Sequence, residues 1–347
     1  MSVAVKEPEP RATLVKNRRP SGAKPAAVVQ PSMKLRLQTL LAVPAAAGIA
    51  LAVHFFASKH EAAQSTDSYQ LLLFVVLSVG LLAAVVSPFL SGLRRWMVNM
   101  SPILGVAILA LGVWELITSG FRLLPLPYFP GPAAVLQSMI SDRALLFDST
   151  WHSLALLLSG YCLGVISGLV SGICIGWSTR IRYWGMPVLK IVGPIPATAW
   201  IPLALVVFPS AVISSAALIA LAVWFPVTML TASGISNTRA SYLDVARTLG
   251  AGRWYLIFRV AIPAALPSIF IGLFMGLGAS FLTLVVAESV GVKSGLGWYV
   301  SWAQGWAEYG KVYGALVIMA AFFSTVMSLL FKVRDVLLVW QKGVIKW

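Results

Sequence analysis

The sequence predicts an all-α polytopic membrane protein with about eight transmembrane helices, and three observations carry that expectation. Hydrophobic residues make up 59% of the 347-residue chain and charged residues 11%, against about 25% charged in a soluble domain. Windows of about 20 residues with few or no charges recur, the length that crosses a hydrocarbon core of about 30 Å. The cations are also segregated. With the N-terminus in the cytoplasm, all 26 Lys and Arg fall on the cytoplasmic side except Lys59, Arg122, Arg143, Lys293 and Lys311, the skew that the positive-inside rule produces. The net charge of +15 therefore follows from topology and does not call for nucleic acid. An even number of spans places both termini in the cytoplasm.

Residues 1–36 are basic and proline-containing with little apolar periodicity, which predicts a disordered cytoplasmic tail. It either serves as a solvated topology signal or binds anionic lipid or a partner. The run from Lys6 to Arg36 is too long for a signal n-region, so the first span is expected to be a retained anchor. Spans Leu37–Ala57 and Gln70–Leu90 form a hairpin, within a unit 37–97, closed outside by the polar "SKHEAAQSTDS". The third span, Val98–Ile117, opens the unit 98–347. An external stretch follows in which Pro125, Pro127, Pro130 and Pro132 break helices. Ala133–Ile140 reads there as a short helix on the membrane surface, and Tyr128 and Trp151 suit interfacial anchoring.

The fourth span, Ser153–Trp177, repeats a glycine every four residues at Gly160, Gly164, Gly168, Gly172 and Gly176. Such a ridge lets another helix approach closely where no hydrophobic drive exists between helices. It serves packing within the chain, a subunit interface or a sliding contact. Cys162 and Cys174 lie on this span about 18 Å apart along a helix, too far to bridge. The fifth span, Gly185–Phe208, contains Pro194, Pro196, Pro202 and Pro209. It is expected to be broken, and broken helices line pathways when they are not simply kinked packing helices. Pro194, Pro196, Trp200 and Pro202 are thus pathway candidates. Val212–Ala232, Ala264–Ala287 and Val312–Phe331 complete the spans. Glu288, at the outer end of the seventh, is a further pathway candidate as an intramembrane acid, or else it snorkels to the interface or takes a proton. "VGVKSGLGWYVSWAQGWAEY" beyond it reads as an external docking surface. His54, His60 and His152 are scattered, so no metal-ligand spacing appears.

The longest charged connection, residues 236–263, lies between the sixth and seventh spans. Ser241 and Asp244 have the spacing of a capping box. Tyr242, Val245, Ala246 and Leu249 share a helical face. Gly250 and Gly252 are placed to end that helix in a tight turn, Arg253–Ala261 is expected to form a second amphipathic helix, and Pro263 a helix start at membrane re-entry. A two-helix knob at the cytoplasmic surface suits a groove in a partner.

Asp244-Val245-Ala246, Gly250 six residues after Asp244, and Val260-Ala261-Ile262-Pro263 resemble the EAA loop of ATP-binding-cassette importer permeases, which runs E-A-A, three residues, G, nine residues, I-x-L-P. Every spacing is kept; Asp stands for Glu, Val for the first Ala, Val for Ile and Ile for Leu. The likeness extends over Trp114–Leu338, where "LPYFPGPAAVLQSM", "PIPATAWIPLALVVF", "AIPAALPSIFIGL" and "VAESVGVKSGLGWYV" resemble the nitrate, sulfonate and taurine branch. The resemblance implies a six-helix importer-permease core behind the extra hairpin, in a bacterial inner membrane. It implies a second permease subunit, a homodimer by default, a cytoplasmic ATPase dimer that receives the knob, and an extracytoplasmic substrate-binding protein. The coupling residues it implies are Asp244, Val245, Ala246, Arg247, Gly250, Arg253 and Pro263. Val206-Val207-Phe208-Pro209 replaces the Trp-Phe-Gly run of many sulfonate-type members and leaves the anion open.

No G-x-x-x-x-G-K-[ST] occurs, so this chain supplies no P-loop. It is expected to be no enzyme and to hold no cofactor, with ATP-Mg in the partner ATPase. An ion-gradient-driven secondary transporter is the alternative. It would show mid-membrane acids or an internal repeat, neither of which the sequence supplies.

Overall fold

The computed structural model describes residues 33–58 and 67–339. The predicted disordered tail lies outside the described residues up to residue 32, its last four residues, Met33–Arg36, being helical; the external loop at 59–66 lies outside them as well. Among those described, every regular element is helical. Seven helices are long and apolar enough to cross a membrane, or up to eight if one bent pair counts as a span.

Helices α1 (Met33–Ser58), α2 (Asp67–Val86) and α3 (Ser91–Glu115, continued by a π turn over Leu116–Gly120) pack together. Gly105 and Gly112 face Ala42 and Ala50, so α1 and α3 run parallel, while Gly80 beside Val43, with Tyr69 and Leu73 beside Ala50 and Leu51, sets α2 antiparallel to α1. The hairpin is thus packed on α3, not isolated from it. Helix α4 (Pro132–Ser141) follows the proline-rich stretch, as predicted, and joins Leu136 and Ala133 to the cluster around Ala50, Leu51, Tyr69 and Leu73.

Helix α5 (Arg143–Trp177) and helix α8 (Ala211–Ser236) form the most extensive contact in the molecule. The glycine ridge faces α8: Gly160 lies under Ile219, Gly164 under Val223, Gly168 under Val227, Gly172 under Thr231 and Gly176 under Ile235. A Cβ on any of these glycines would sit 2.6–2.8 Å from the partner Cβ. The numbering rises together on both helices, so α5 and α8 are parallel. The intervening chain must therefore return across the whole bundle. It does so as α6 (Thr179–Val192), a 3-10 turn (Ala197–Trp200) and α7 (Ile201–Val207), bent by 83°. One predicted span, Gly185–Phe208, is in fact this bent pair, because Pro194 and Pro196 deny the helix its continuity.

Beyond α8 come α9 (Ala240–Thr248) and α10 (Arg253–Tyr255). A π turn (Leu256–Ala261) carries α10 into α11 (Ile262–Val290) without a break. The predicted helix start at Pro263 is therefore corrected. The π turn absorbs the hydrogen bond that Pro263 cannot donate, and one helix of 38 residues, Arg253–Val290, results. Helix α11 runs antiparallel to α8, with Gly272 against Val227 and Gly276 against Val223. Helix α12 (Leu296–Gly305) and α13 (Tyr309–Leu337) complete the fold. The predicted docking surface beyond Glu288 is corrected in part: Leu296, Gly297, Tyr299 and Ala303 are buried. Burial and the Asp142 carboxylate, which accepts from the Tyr299 hydroxyl at 2.8 Å, raise that phenol above its ordinary range.

Two ends result. One gathers the start of α5, the end of α11, α4 and α12, with Arg143, Lys293 and Lys311. The other gathers Arg180, Arg182, Arg239, Arg247, Arg253, Arg259, Lys332 and Arg334. The cation-rich end carries α9.

Candidate functional site

At the cation-rich end, α9 buries no residue. Val245 is 61% exposed, Leu249 83% and Trp254 72%, and Tyr242, Tyr255 and Phe258 are exposed as well. These apolar side chains stand on a knob that carries Arg247, Arg253 and Arg259, and such a surface is made to be covered. The knob's turn is specified by glycine. The Gly250 N–H donates to the Arg247 carbonyl at 2.9 Å and the Ala251 N–H to that of Ala246 at 3.0 Å, a Schellman closure. Gly250 has φ of +83°, a conformation costly to any residue with a Cβ. Gly252 is the N-cap of α10, so the two glycines divide the work: one ends a helix and the other begins the next.

The predicted capping box is absent. The N-cap of α9 is Arg239, with no side-chain cap hydrogen bond, because Ser241 already lies inside the first turn. Asp244 instead accepts from Arg247 at 3.0 Å, an exposed pair of small energetic weight. Val245 points outward beside Leu249, Ala246 contributes its carbonyl to the closure, and Pro263 sits about three turns up the continuous helix that starts at Arg253.

At the opposite end, Glu288 is buried, 1% exposed, which removes the snorkelling alternative. Its Oε1 accepts from the Ser153 hydroxyl at 2.7 Å and its Oε2 from the Gly297 N–H at 2.8 Å. The Ser153 oxygen in turn accepts from the Leu296 N–H at 2.8 Å. Two side chains from α5 and α11 thus satisfy the first N–H groups of α12, where a helix is positive. Gly295, at φ +101°, and Gly297 leave room for the carboxylate that a Cβ would strike. Sequence reasoning missed Ser153; the Gly-Leu-Gly run after Glu288 was the available sign of a tight helix start.

Pro194, Pro196, Trp200 and Pro202 lie at the bend between α6 and α7, and Trp200 packs on the cluster of Ile201, Ala204 and Leu218 that Val286, two residues before Glu288, also covers. Pro196 borders a cavity of about 280 Å³ with Thr198, Phe225, Met275 and Thr283. Pro202 lies in the first turn of α7. The buried Trp200 Nε1 has no hydrogen-bond partner. The pathway candidates therefore comprise the bend between α6 and α7 and, on the stretch of α11 that packs beside it, the carboxylate that caps α12. Among the described residues no cluster of His, Cys, Asp or Glu could hold a metal ion.

Residues 160–338 match the family model described as "Binding-protein-dependent transport system inner membrane component". A probable ABC transporter permease protein of Haemophilus influenzae is 30% identical over 64% of this chain and 90% of its own length. A putative aliphatic sulfonates transport permease protein of Bacillus subtilis is 31% identical over 67% of this chain and 85% of its own. An inward-facing methionine ABC transporter matches in fold, with a TM-score of 0.50 at 15% identity over 57% of this chain and 98% of that one.

Proposed function

The chain belongs to the inner membrane components of binding-protein-dependent transport systems, and on that premise we propose how it couples ATP to import and what it carries. It is a multi-pass permease subunit of an ABC importer, not an enzyme. In our reading, the cation-rich end faces the cytoplasm, where a separate ATPase dimer, holding ATP-Mg, receives the α9–α10 knob in a surface groove. A binding protein delivers substrate at the Glu288 end, and a second copy of the chain completes the permease. The observation that carries this reading is the knob itself: exposed Val245, Leu249 and Trp254 on a cationic projection fixed by a left-handed Gly250.

Motion at the knob has a direct route across the membrane. Helix Arg253–Val290 is about 57 Å long, and it joins the knob to the Glu288 node without an intervening loop. A displacement at Arg253 therefore reaches Ser153 and α12 through one rigid element. Helix α11 lies along α8 with Gly272 and Gly276 against Val227 and Val223, a close contact that ties the movement of α11 to α8.

For the cargo we infer a small anion of the nitrate, sulfonate or taurine class. The relatives support that class, and so does the unpaired indole N–H of Trp200 at the helix break, a donor without an acceptor at a depth where water is scarce. Copurification from gentle detergent tests the coupling reading. A stoichiometric ATPase with a Walker motif should accompany wild type and be lost with Gly250→Arg and with the surface variant Leu249→Ser, while both variants remain monodisperse. Absence of any ATPase from intact wild type would return the reading to a gradient-driven transporter.

A further inference from the structure

We propose that the groove between the last turns of α5 and the start of α6 is a binding site for an anionic phospholipid. The groove has a volume of about 470 Å³ and is lined by Ser171, Cys174, Ile175, Ile181, Trp184 and Arg180. It lies at the cation-rich end, since Gly176 packs on Ile235, the last residue but one of α8.

Two arginines on the first turn of α6 have different roles. Arg182 is turned inward: its Nε donates to the Ile175 carbonyl at 3.2 Å and its Nη2 to that of Gly176 at 2.8 Å, so it closes the C-terminus of α5. Arg180 is exposed and makes no ion pair among the described residues. The sequence places no Asp or Glu between Asp148 and Asp244, so no carboxylate of its own neighbourhood neutralises Arg180. Beside it stand the first N–H groups of α6, a 14-residue helix. The Ser178 side chain caps one of them, at Ile181, and the positive end of a helix favours an anion.

The remaining wall is apolar and marks the depth. Trp184 is 76% exposed and meets Tyr183 edge to face at 5.3 Å, an aromatic pair of the kind found at membrane–water interfaces. A phosphate on Arg180 and the α6 N-terminus would leave the acyl chain against Cys174, Ile181 and Trp184. Basic pockets between membrane helices on the cytoplasmic side select anionic headgroups in this way. Charge complementarity favours this occupant over a second copy of the chain, whose matching face would bring another Arg180 to the same place.

Native mass spectrometry of the purified chain in an equimolar mixture of phosphatidylglycerol and phosphatidylcholine of equal chain length tests the site. Phosphatidylglycerol should be retained several-fold over phosphatidylcholine. Arg180→Gln should reduce that ratio toward one, and Arg95→Gln, at the same end but on α3, should leave it unchanged. A photoreactive acyl phosphatidylglycerol should label the peptide Ser171–Gly185, and less of it when Trp184→Ala is introduced. Equal retention of both lipids by wild type, or a ratio insensitive to Arg180→Gln, overturns the proposal. So does an oxidised dimer through Cys174 in a Cys162→Ser background, which would show that a second copy covers the groove. No ATP or transported substrate enters the measurement.

Discussion

Ser153 on α5 and Glu288 on α11 share the capping of α12: a 2.7 Å hydrogen bond joins them, and each accepts a backbone N–H from the helix start. A buried acid in a membrane helix ordinarily suggests substrate or protons. Here its oxygens are occupied by structure, and its charge faces the positive end of a helix. Glu288→Ala should leave the Gly297 N–H and the Ser153 hydroxyl unpaired, a loss of about 1–3 kcal/mol for a buried group. Thermal unfolding in detergent should show a lower midpoint, and Glu288→Gln, which keeps a carbonyl acceptor, should recover part of it. A Glu288→Ala protein that melts like wild type but transports nothing would instead make Glu288 a pathway residue.

Gly250 should tolerate side chains in order of their ease in the left-handed region. No atom lies within 4 Å of a Cβ placed there, so space does not limit the position and backbone conformation does. A left-handed residue with a Cβ costs about 1–2 kcal/mol, least for Asn and Asp. ATPase retention and substrate-stimulated ATP hydrolysis should therefore fall in the order Gly, Asn, Ala, Val at position 250. Equal activity for Asn and Val would remove the assignment of the turn.

The spans and the knob were legible in the sequence because each rests on a local rule. Apolar length gives the spans, proline gives the break between α6 and α7, and glycine gives the knob's turn. The parallel pairing of α5 and α8 was not legible. Gly160 to Gly176 announce that something packs closely but do not name Ile219 to Ile235 as its partner. The cap on α9 was misread because Ser241 and Asp244 have the required spacing, while Arg239 already has the extended backbone of an N-cap. The continuity across Pro263 was missed because a π turn has no composition of its own. Whether Trp200 meets substrate depends on a side chain at a break, where periodicity ends.

Gly172 and Gly278 offer a matched contrast. A Cβ at Gly172 would meet Thr231 at 2.6 Å, whereas one at Gly278 meets nothing within 4 Å. Overpacking costs about 1–3 kcal/mol, so Gly172→Val should reduce both the yield of folded protein and its melting temperature. Gly278→Ala should leave the isolated chain unaltered. Size-exclusion yield and thermal scans on both variants check this. Should Gly172→Val be neutral in the isolated chain and harmful only in the assembled transporter, the ridge would belong to an interface between subunits.

His54 and Glu115 make the hairpin a test of specificity in the bilayer. The His54 Nδ1 lies 2.5 Å from the Glu115 Oε1, both side chains are buried, and the Tyr69 ring meets the imidazole edge-on at 5.2 Å. One polar contact thereby keys α1 to α3, and a ring contact adds α2, beside an interface that is otherwise apolar. Removing one partner of a buried pair strands the other and costs about 3–5 kcal/mol, whereas replacing both with apolar residues of similar volume is often neutral. Glu115→Leu alone should thus loosen α1 from α3, read as faster proteolysis of the hairpin in proteoliposomes. The double variant His54→Leu/Glu115→Leu should restore protection. If the double variant is cleaved as fast as the single one, the pair contributes more than mutual neutralisation, and α1 and α3 depend on its hydrogen bond for their register.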